Sequence, residues 1–272
     1  MLTPTEDIFN VAIRTILIKK KQSTGEIGIG SGIVWDSKSE EEYNETLLKG
    51  KFLTQPDGYF ELFETMLFEN GEFFLLHEHL NRLKDSADYF LFYCDEFKVR
   101  TELQKLTKSF DDDKKYRIKL SLNKWGEIRI HYELYYPKID PVKIILSSDK
   151  IDSNSKFQYF KTTNRKKYDN DLSLHTLFGF FDVIYFNTQN ELMEGTITNI
   201  FLRKGSEWFT PPISSGILNG CYRNYVLKNR NDYFEKILYL SDILEADEIL
   251  LTNSLRKEIK VLEVWLGEEK IK

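Results

Sequence analysis

Lys161 stands in Phe160-Lys161-Thr162-Thr163-Asn164-Arg165, with Tyr159 and Tyr168 nearby. A lysine amine partly withdrawn from water gives up its proton more readily, and the neutral amine can then add to a carbonyl carbon. Glu194, in Glu194-Gly195-Thr196-Ile197-Thr198-Asn199, offers a carboxylate able to hold a proton on a heteroaromatic nitrogen. Arg82 follows His79 by one helical turn in His79-Leu80-Asn81-Arg82, and a guanidinium matches phosphate oxygens with paired hydrogen bonds. Gly216-Ile217-Leu218-Asn219-Gly220-Cys221-Tyr222-Arg223 ends a loop and opens a helix, whose free N–H groups suit phosphate. Thr252-Asn253-Ser254 follows a strand and adds hydroxyls. Taken singly, these segments are better described as a solvated lysine, a turn glutamate, a surface arginine and two ordinary turns. Two further patterns fail on spacing: Gly28-Ile29-Gly30-Ser31-Gly32 lacks the glycine at position 33 that a dinucleotide site needs, and His77-Glu78-His79 is not HExxH, so no metal is expected.

The elements that must carry these residues fall into three stretches. Residues 8–20 and 26–36 read as strands, and Ser39-Glu40-Glu41-Glu42 forms a capping box ahead of a charged helix to about Leu53. Two strands and one helix bury too little apolar surface to fold alone. From Tyr59 the pattern restarts. A strand over 60–68 turns through Glu69-Asn70-Gly71-Glu72, helices follow over 77–92 and 96–110, and strands over 116–123 and 128–135 pair through Lys124-Trp125-Gly126-Glu127. Pro137 to Pro141 reads as a linker. Beyond it come strands over 142–147, 181–187, 199–204 and 248–252, with helices over 164–178, 221–229 and 241–246. The expected division is therefore 1–53, 57–138 and 139–272.

Composition narrows the function classes. The chain has 272 residues and a formal net charge of −5, so no basic face for nucleic acid is expected. Cys94 and Cys221 stand far apart and in no metal-ligand spacing, which suits a reducing cytoplasm. Glu6 and Asp7 precede the first apolar run, unlike a signal peptide, and no apolar stretch is long enough to span a membrane.

In their order, the segments around His79 and Arg82, Lys161, Glu194 to Asn199, Gly216 to Arg223, and Asn253 and Ser254 resemble the fold-type IV pyridoxal-phosphate enzymes over about residues 57–263. That class holds branched-chain and D-amino-acid aminotransferases and aminodeoxychorismate lyase. The resemblance implies an α+β (α/β) fold, with a small N-terminal α/β domain and a larger β-barrel-like domain with helices. Phe63-Glu64-Thr65-Met66, Ser86-Ala87-Asp88-Tyr89-Phe90 and Lys161 to Arg165 look like the lyases fused to aminodeoxychorismate synthase component I. The transaminases usually place a tyrosine five residues after the lysine, where this chain has Lys166. Residues 9–15, 28–34 and 39–49 resemble the C-terminal end of a chorismate-binding synthase, in which Glu42 and Glu45 would stand on a magnesium-binding helix. Most of that synthase is absent from this sequence, so the stretch reads as the remnant of a fusion or as part of a chain cut from one, and its two glutamates simply cap and solvate a helix.

By this resemblance Lys161 bonds to the aldehyde of pyridoxal 5'-phosphate and later moves the substrate proton, and Glu194 faces the ring nitrogen. Arg82, the Ile197 backbone, Cys221, Tyr222 and Ser254 anchor the phosphate, and Thr65 guides protons or substrate. The implied reaction is release of pyruvate from aminodeoxychorismate to give 4-aminobenzoate, for folate biosynthesis, by a cytoplasmic homodimer supplied by a synthase component. A branched-chain or D-amino-acid aminotransferase and a catalytically dead module docking on a synthase are the alternatives.

Overall fold

The computed structural model describes residues 15–54, 58–137 and 141–272. These fall into two compact units, divided between Tyr59 and Phe60. Most of the strand expected over 8–20 and most of the Pro137–Pro141 linker lie outside the described residues.

The first unit is a short hairpin and a helix. Strands β1 (Ile16–Lys19) and β2 (Thr24–Ile27) pair antiparallel. The second strand expected over 26–36 is thus four residues long and ends at Ile27. Helix α1 (Ser39–Thr54) begins with Glu40, Glu41 and Glu42, which suit the positive end of its dipole. The Glu42 carboxylate accepts a bond from the Ser37 hydroxyl at 2.6 Å, and Glu45 pairs with Lys49 at 2.6 Å. Ile33, Val34, Trp35, Leu47 and Leu48 are all exposed, so this unit has little core of its own.

In the second unit a four-stranded antiparallel sheet comes first. It is built from β3 (Leu62–Glu69), β4 (Glu72–Phe73), β5 (Tyr116–Leu122) and β6 (Ile128–Leu134) in the order β4-β3-β5-β6. Asn70 and Gly71 both take positive φ (53° and 78°), which lets the two-residue β3–β4 turn follow the strand twist. Helices α2 (Leu76–Phe90) and α3 (Glu96–Thr107) bring Leu80, Leu83, Ala87, Val99 and Leu103 against Leu62, Met66, Phe68 and Ile118 of the sheet. Leu91 caps the C-terminus of α2 at φ 57° and is exposed.

The larger sheet has nine strands: β7 (Val142–Ile151), β8 (Asp182–Asn187), β9 (Leu192–Gly195), β10 (Asn199–Lys204), β11 (Glu207–Thr210), β12 (Tyr233–Glu235), β13 (Glu248–Asn253), β14 (Lys257–Leu266) and β15 (Glu269–Lys270). The order is β12-β11-β10-β13-β14-β7-β8-β9, with β15 added to β14. The β11–β12, β14–β7 and β7–β8 pairs are parallel and the others antiparallel. Helices α4 (Lys166–Leu177), α5 (Cys221–Asn229) and α6 (Leu240–Glu245) flank it, and Ile184, Ile200, Ile243, Leu251 and Ile259 form its main core. The mixed α and β architecture with a curled large sheet is the expected fold class. No helix among the described residues is long and apolar enough to cross a membrane.

Candidate active site

The eight residues expected to act together, Thr65, Arg82, Lys161, Glu194, Ile197, Cys221, Tyr222 and Ser254, all line one cavity of about 720 Å³. They arrive there from strands and loops far apart in sequence, so the backbone that holds each one matters.

Lys161 lies in a segment bonded to the start of β3. Phe63 N–H donates to the Lys161 carbonyl at 3.0 Å, Thr163 N–H to Glu61 at 2.8 Å, and Leu62 bridges antiparallel to Thr162. Strand periodicity then places Leu62, Glu64, Met66 and Phe68 on the face under α2, and Phe63 and Thr65 on the opposite face, at the cavity. The Lys161 Nζ sits 4.7 Å from the centre of the Phe63 ring. Burial, reinforced by the positive charge of Arg82, lowers the Lys161 amine from 10.5 to about 8. A far larger share of it is therefore neutral, and nucleophilic, near neutral pH than of a surface lysine.

Glu194 ends β9. One carboxylate oxygen accepts from Leu218 N–H at 2.9 Å, the other from the Asn199 side-chain amide at 2.8 Å. Burial outweighs these bonds and raises its pKa from 4.5 to about 8. Neither donor is charged, so the carboxylate lacks the adjacent cation that burial calls for. Lys161 and Glu194 each feel the other's charge across the cavity.

The 196–198 turn hangs from Asp182, a buried carboxylate at the start of β8. It accepts from the Thr196 N–H at 2.8 Å, the Ile197 N–H at 3.3 Å and the Thr198 hydroxyl at 2.6 Å. Gly195 is needed here, because a Cβ would stand 2.3 Å from Asp182 Oδ2. Gly220 precedes α5 under the same constraint, its would-be Cβ falling 1.9 Å from Asn199 Oδ1. Cys221, the first residue of α5, is buried with its Sγ 3.7 Å from His79 Nδ1. The Tyr222 hydroxyl bonds Glu258 at 3.1 Å.

Arg82 is held by Glu64, which points to the α2 side of β3. Both Glu64 oxygens accept from it, at 2.8 Å from Nε and 2.5 Å from a terminal nitrogen, while the other terminal nitrogen donates to the Asn219 carbonyl at 3.1 Å. His79 Nδ1 lies 2.7 Å from the same carboxylate. Burial alone would raise Glu64, but Arg82 and His79 prevail and hold it near 2. Burial would likewise lower His79, yet the Cys221 thiol and Glu64 together bring it up to about 9. Glu64, His79 and Cys221 put their ligand atoms within 4.8 Å of one another, but with Arg82 on both Glu64 oxygens the cluster works as an ion-pair network. A lone carboxylate inside the apolar run Leu62–Phe68 was the available signal for Glu64. Nothing local marked Asp182.

A half-buried lysine amine with a lowered pKa, a carboxyl hydrogen-bonded only by neutral donors and a guanidinium beside a helix N-terminus thus share one cavity. Residues 61–264 match the family model for amino-transferase class IV, and residues 1–55 that for chorismate binding enzyme. The chain belongs to the class IV aminotransferase family, whose members are pyridoxal-phosphate-dependent enzymes. It is 30% identical over 209 residues to a Schizosaccharomyces pombe protein named "Putative aminodeoxychorismate lyase", covering 73% of this chain and 87% of that one. Similarity to a Thermotoga maritima "Probable branched-chain-amino-acid aminotransferase" is 28% over 207 residues, 71% of this chain and 73% of the other. Among solved structures, a "Putative amino-acid aminotransferase" from Mesorhizobium loti superposes with a TM-score of 0.70 at 29% identity, over 75% of this chain and 99% of that one.

Proposed function

We propose that this chain is a pyridoxal-phosphate-dependent aminodeoxychorismate lyase that releases pyruvate and leaves 4-aminobenzoate for folate biosynthesis. The choice of lyase rests on one observation: a class IV segment and a segment matching a chorismate binding enzyme share the same chain. An aminated chorismate is the substrate such a pairing suits.

The donor set fits the cofactor. The neutral fraction of the Lys161 amine is available to an aldehyde, and Glu194, half-buried and hydrogen-bonded only by neutral donors, suits a protonated ring nitrogen. Arg82, the Ile197 backbone, Cys221, Tyr222 and Ser254 would receive the phosphate; Gly220 and Cys221 open a helix whose first N–H groups are free for it. When bound, the cofactor supplies an electron sink for the pair released as a proton leaves the amine-bearing carbon.

Lys161 Nζ takes that proton, since its lowered pKa leaves the neutral base accessible near neutral pH. The bond from the neighbouring ring carbon to the enolpyruvyl oxygen then breaks. A proton returned to the departing enol gives pyruvate, and the ring becomes aromatic, so substrate atoms are conserved without added water. Thr65, on the cavity face of β3, guides substrate or proton. Glu64 keeps the Arg82 guanidinium at a fixed angle. Residues 1–53 form a segment similar to a chorismate binding enzyme, 57–138 the small domain and 139–272 the large one. The working unit is a cytoplasmic homodimer that receives its substrate from a synthase component.

The test is pyruvate and 4-aminobenzoate release from enzymatically generated aminodeoxychorismate. Wild type should form both in equal amounts, and Lys161→Ala neither. The relative from Thermotoga keeps a transaminase reading in view. Keto-acid formation from D-alanine or a branched-chain amino acid with 2-oxoglutarate, without pyruvate release from aminodeoxychorismate, would establish that reading instead.

A further inference from the structure

Asp182 stands at the start of β8, fully buried, and is not part of the cavity wall. Both of its oxygens face donors. Oδ1 accepts from the Val183 N–H at 2.8 Å, the Thr196 N–H at 2.8 Å and the Thr196 hydroxyl. Oδ2 accepts from the Ile197 N–H at 3.3 Å and the Thr198 hydroxyl at 2.6 Å. None of the five donors is charged. Burial raises the Asp182 pKa and these donors oppose it. Three of them are backbone N–H groups, which can only donate, so the acceptor-only carboxylate is the form that satisfies the whole set.

The turn held in this way, 196–198, forms part of the cavity wall. Its carbonyls are bound by other elements. Arg165 donates to the Thr196 carbonyl, and the Asn253 side-chain amide donates to the Ile197 carbonyl at 3.1 Å. The same Asn253 side chain accepts from the Leu255 N–H at 3.1 Å and the Arg256 N–H at 2.8 Å, which shapes the turn containing Ser254. One hydrogen-bonded chain therefore runs from Asp182 through the Ile197 peptide and Asn253 to the Ser254 turn. Its two links span 15 and 56 residues of sequence.

We propose that Asp182 is a positioning residue for the cofactor's phosphate end: it holds the Ile197 peptide and, through Asn253, the Ser254 turn in the arrangement that receives a phosphate. The proposal rests on the reading that Ile197 and Ser254 meet the phosphate, and is independent of whether the chemistry is that of a lyase or a transaminase. Asp182 itself touches neither cofactor nor substrate.

Asparagine at this position separates charge from geometry. Its amide keeps one acceptor oxygen and puts an NH2 group in place of the other. Oδ1 serves two backbone N–H groups, whereas Oδ2 serves one and a hydroxyl that can turn to accept. The NH2 group therefore takes the Oδ2 place, facing the Ile197 N–H, and that peptide is released. By charge alone, removing an anion near the seat of a phosphate tightens the phosphate. Releasing the Ile197 peptide loosens it.

The test strips the cofactor from the full chain and titrates it with pyridoxal 5'-phosphate or with pyridoxal, followed by visible absorbance. The readout is the ratio of the two dissociation constants, which cancels any general loss of fold or of Lys161 reactivity. Asp182→Asn should lower the preference for the phosphorylated form by at least roughly 10-fold, the scale of one hydrogen bond to a charged group. Ser254→Ala, which removes a phosphate contact directly, should lower it as well. An unchanged ratio in Asp182→Asn beside a lowered one in Ser254→Ala overturns the positioning role and leaves the phosphate reading intact. Ratios unchanged in both variants sink that reading and the proposal with it. A raised ratio in Asp182→Asn also overturns the proposal, because charge would then outweigh position. If Asp182→Asn does not fold, Thr198→Val, which removes one Oδ2 donor and keeps the side-chain shape, decides by the same ratio. A smaller fall supports the role, and no change overturns it.

Discussion

Replacing Glu64 by glutamine keeps its shape and removes the one negative charge that Arg82 and His79 share. The depression of Glu64 from 4.5 to about 2, at about 1.4 kcal/mol per tenfold, corresponds to roughly 3 kcal/mol of stabilisation. Breaking a buried ion pair by deleting one partner costs about 3–5 kcal/mol, which agrees. The pH dependence gives a second signature. Glu64 has its folded pKa below the unfolded value, so its stabilisation is complete above about 4.5 and fades as the pH falls towards 2. His79 is raised from 6.5 to about 9, so its contribution is complete below 6.5 and fades as the pH climbs to about 9. The gap between wild type and Glu64→Gln should therefore be widest between pH 4.5 and 6.5 and narrower at pH 9. Urea unfolding of the full chain, followed by tryptophan fluorescence at pH 5.5, 7 and 9, measures it. A variant within about 1 kcal/mol of wild type at pH 5.5, or a gap that widens towards pH 9, would refute the network as described.

Two further outcomes concern the amine and the glycines. In cofactor-free protein, Lys161 should react with an amine-directed reagent in a step centred near pH 8. An amine lowered from 10.5 to about 8 is neutral at pH 7 roughly 300 times more often than a surface lysine; a step centred above pH 10, read by peptide mass mapping, would contradict that burial. Gly220→Ala puts a Cβ 1.9 Å from the Asn199 amide oxygen, and the shift this forces should cost about 1–3 kcal/mol. Asn199 also holds Glu194, so cofactor retention should fall together with Tm, and an unchanged Tm would contradict the tight packing there.

Most helices were legible because their periods are regular. The start of α3 at Glu96 and the span of α5, Cys221–Asn229, came from apolar spacing and capping residues. Strand β14 was not foreseen, although ten residues long. Its alternation is interrupted by a bulge between Val261 and Glu263, where one extra residue shifts every later side chain to the other face. Strands β9, β11 and β12 were missed for another reason: each has four residues or fewer, too few for a period to register.

Amino-acid order alone determined the kinds of group the site holds and the sequence in which they come: the guanidinium of Arg82, the amine of Lys161, the carboxylate of Glu194 and the hydroxyl of Ser254. Those are properties of residue type, and a motif can carry them. The tertiary structure decided what state each group is in. Glu64 and Glu194 are the same residue, yet one is held near 2 by a guanidinium and an imidazole, and the other is pushed to about 8 by burial with only neutral donors. Charge state depends on solvent access and on neighbours within a few ångströms, and those neighbours come from positions 5 to 24 residues away, with Arg82 itself tied to a carbonyl 137 residues on. Only folding sets those distances.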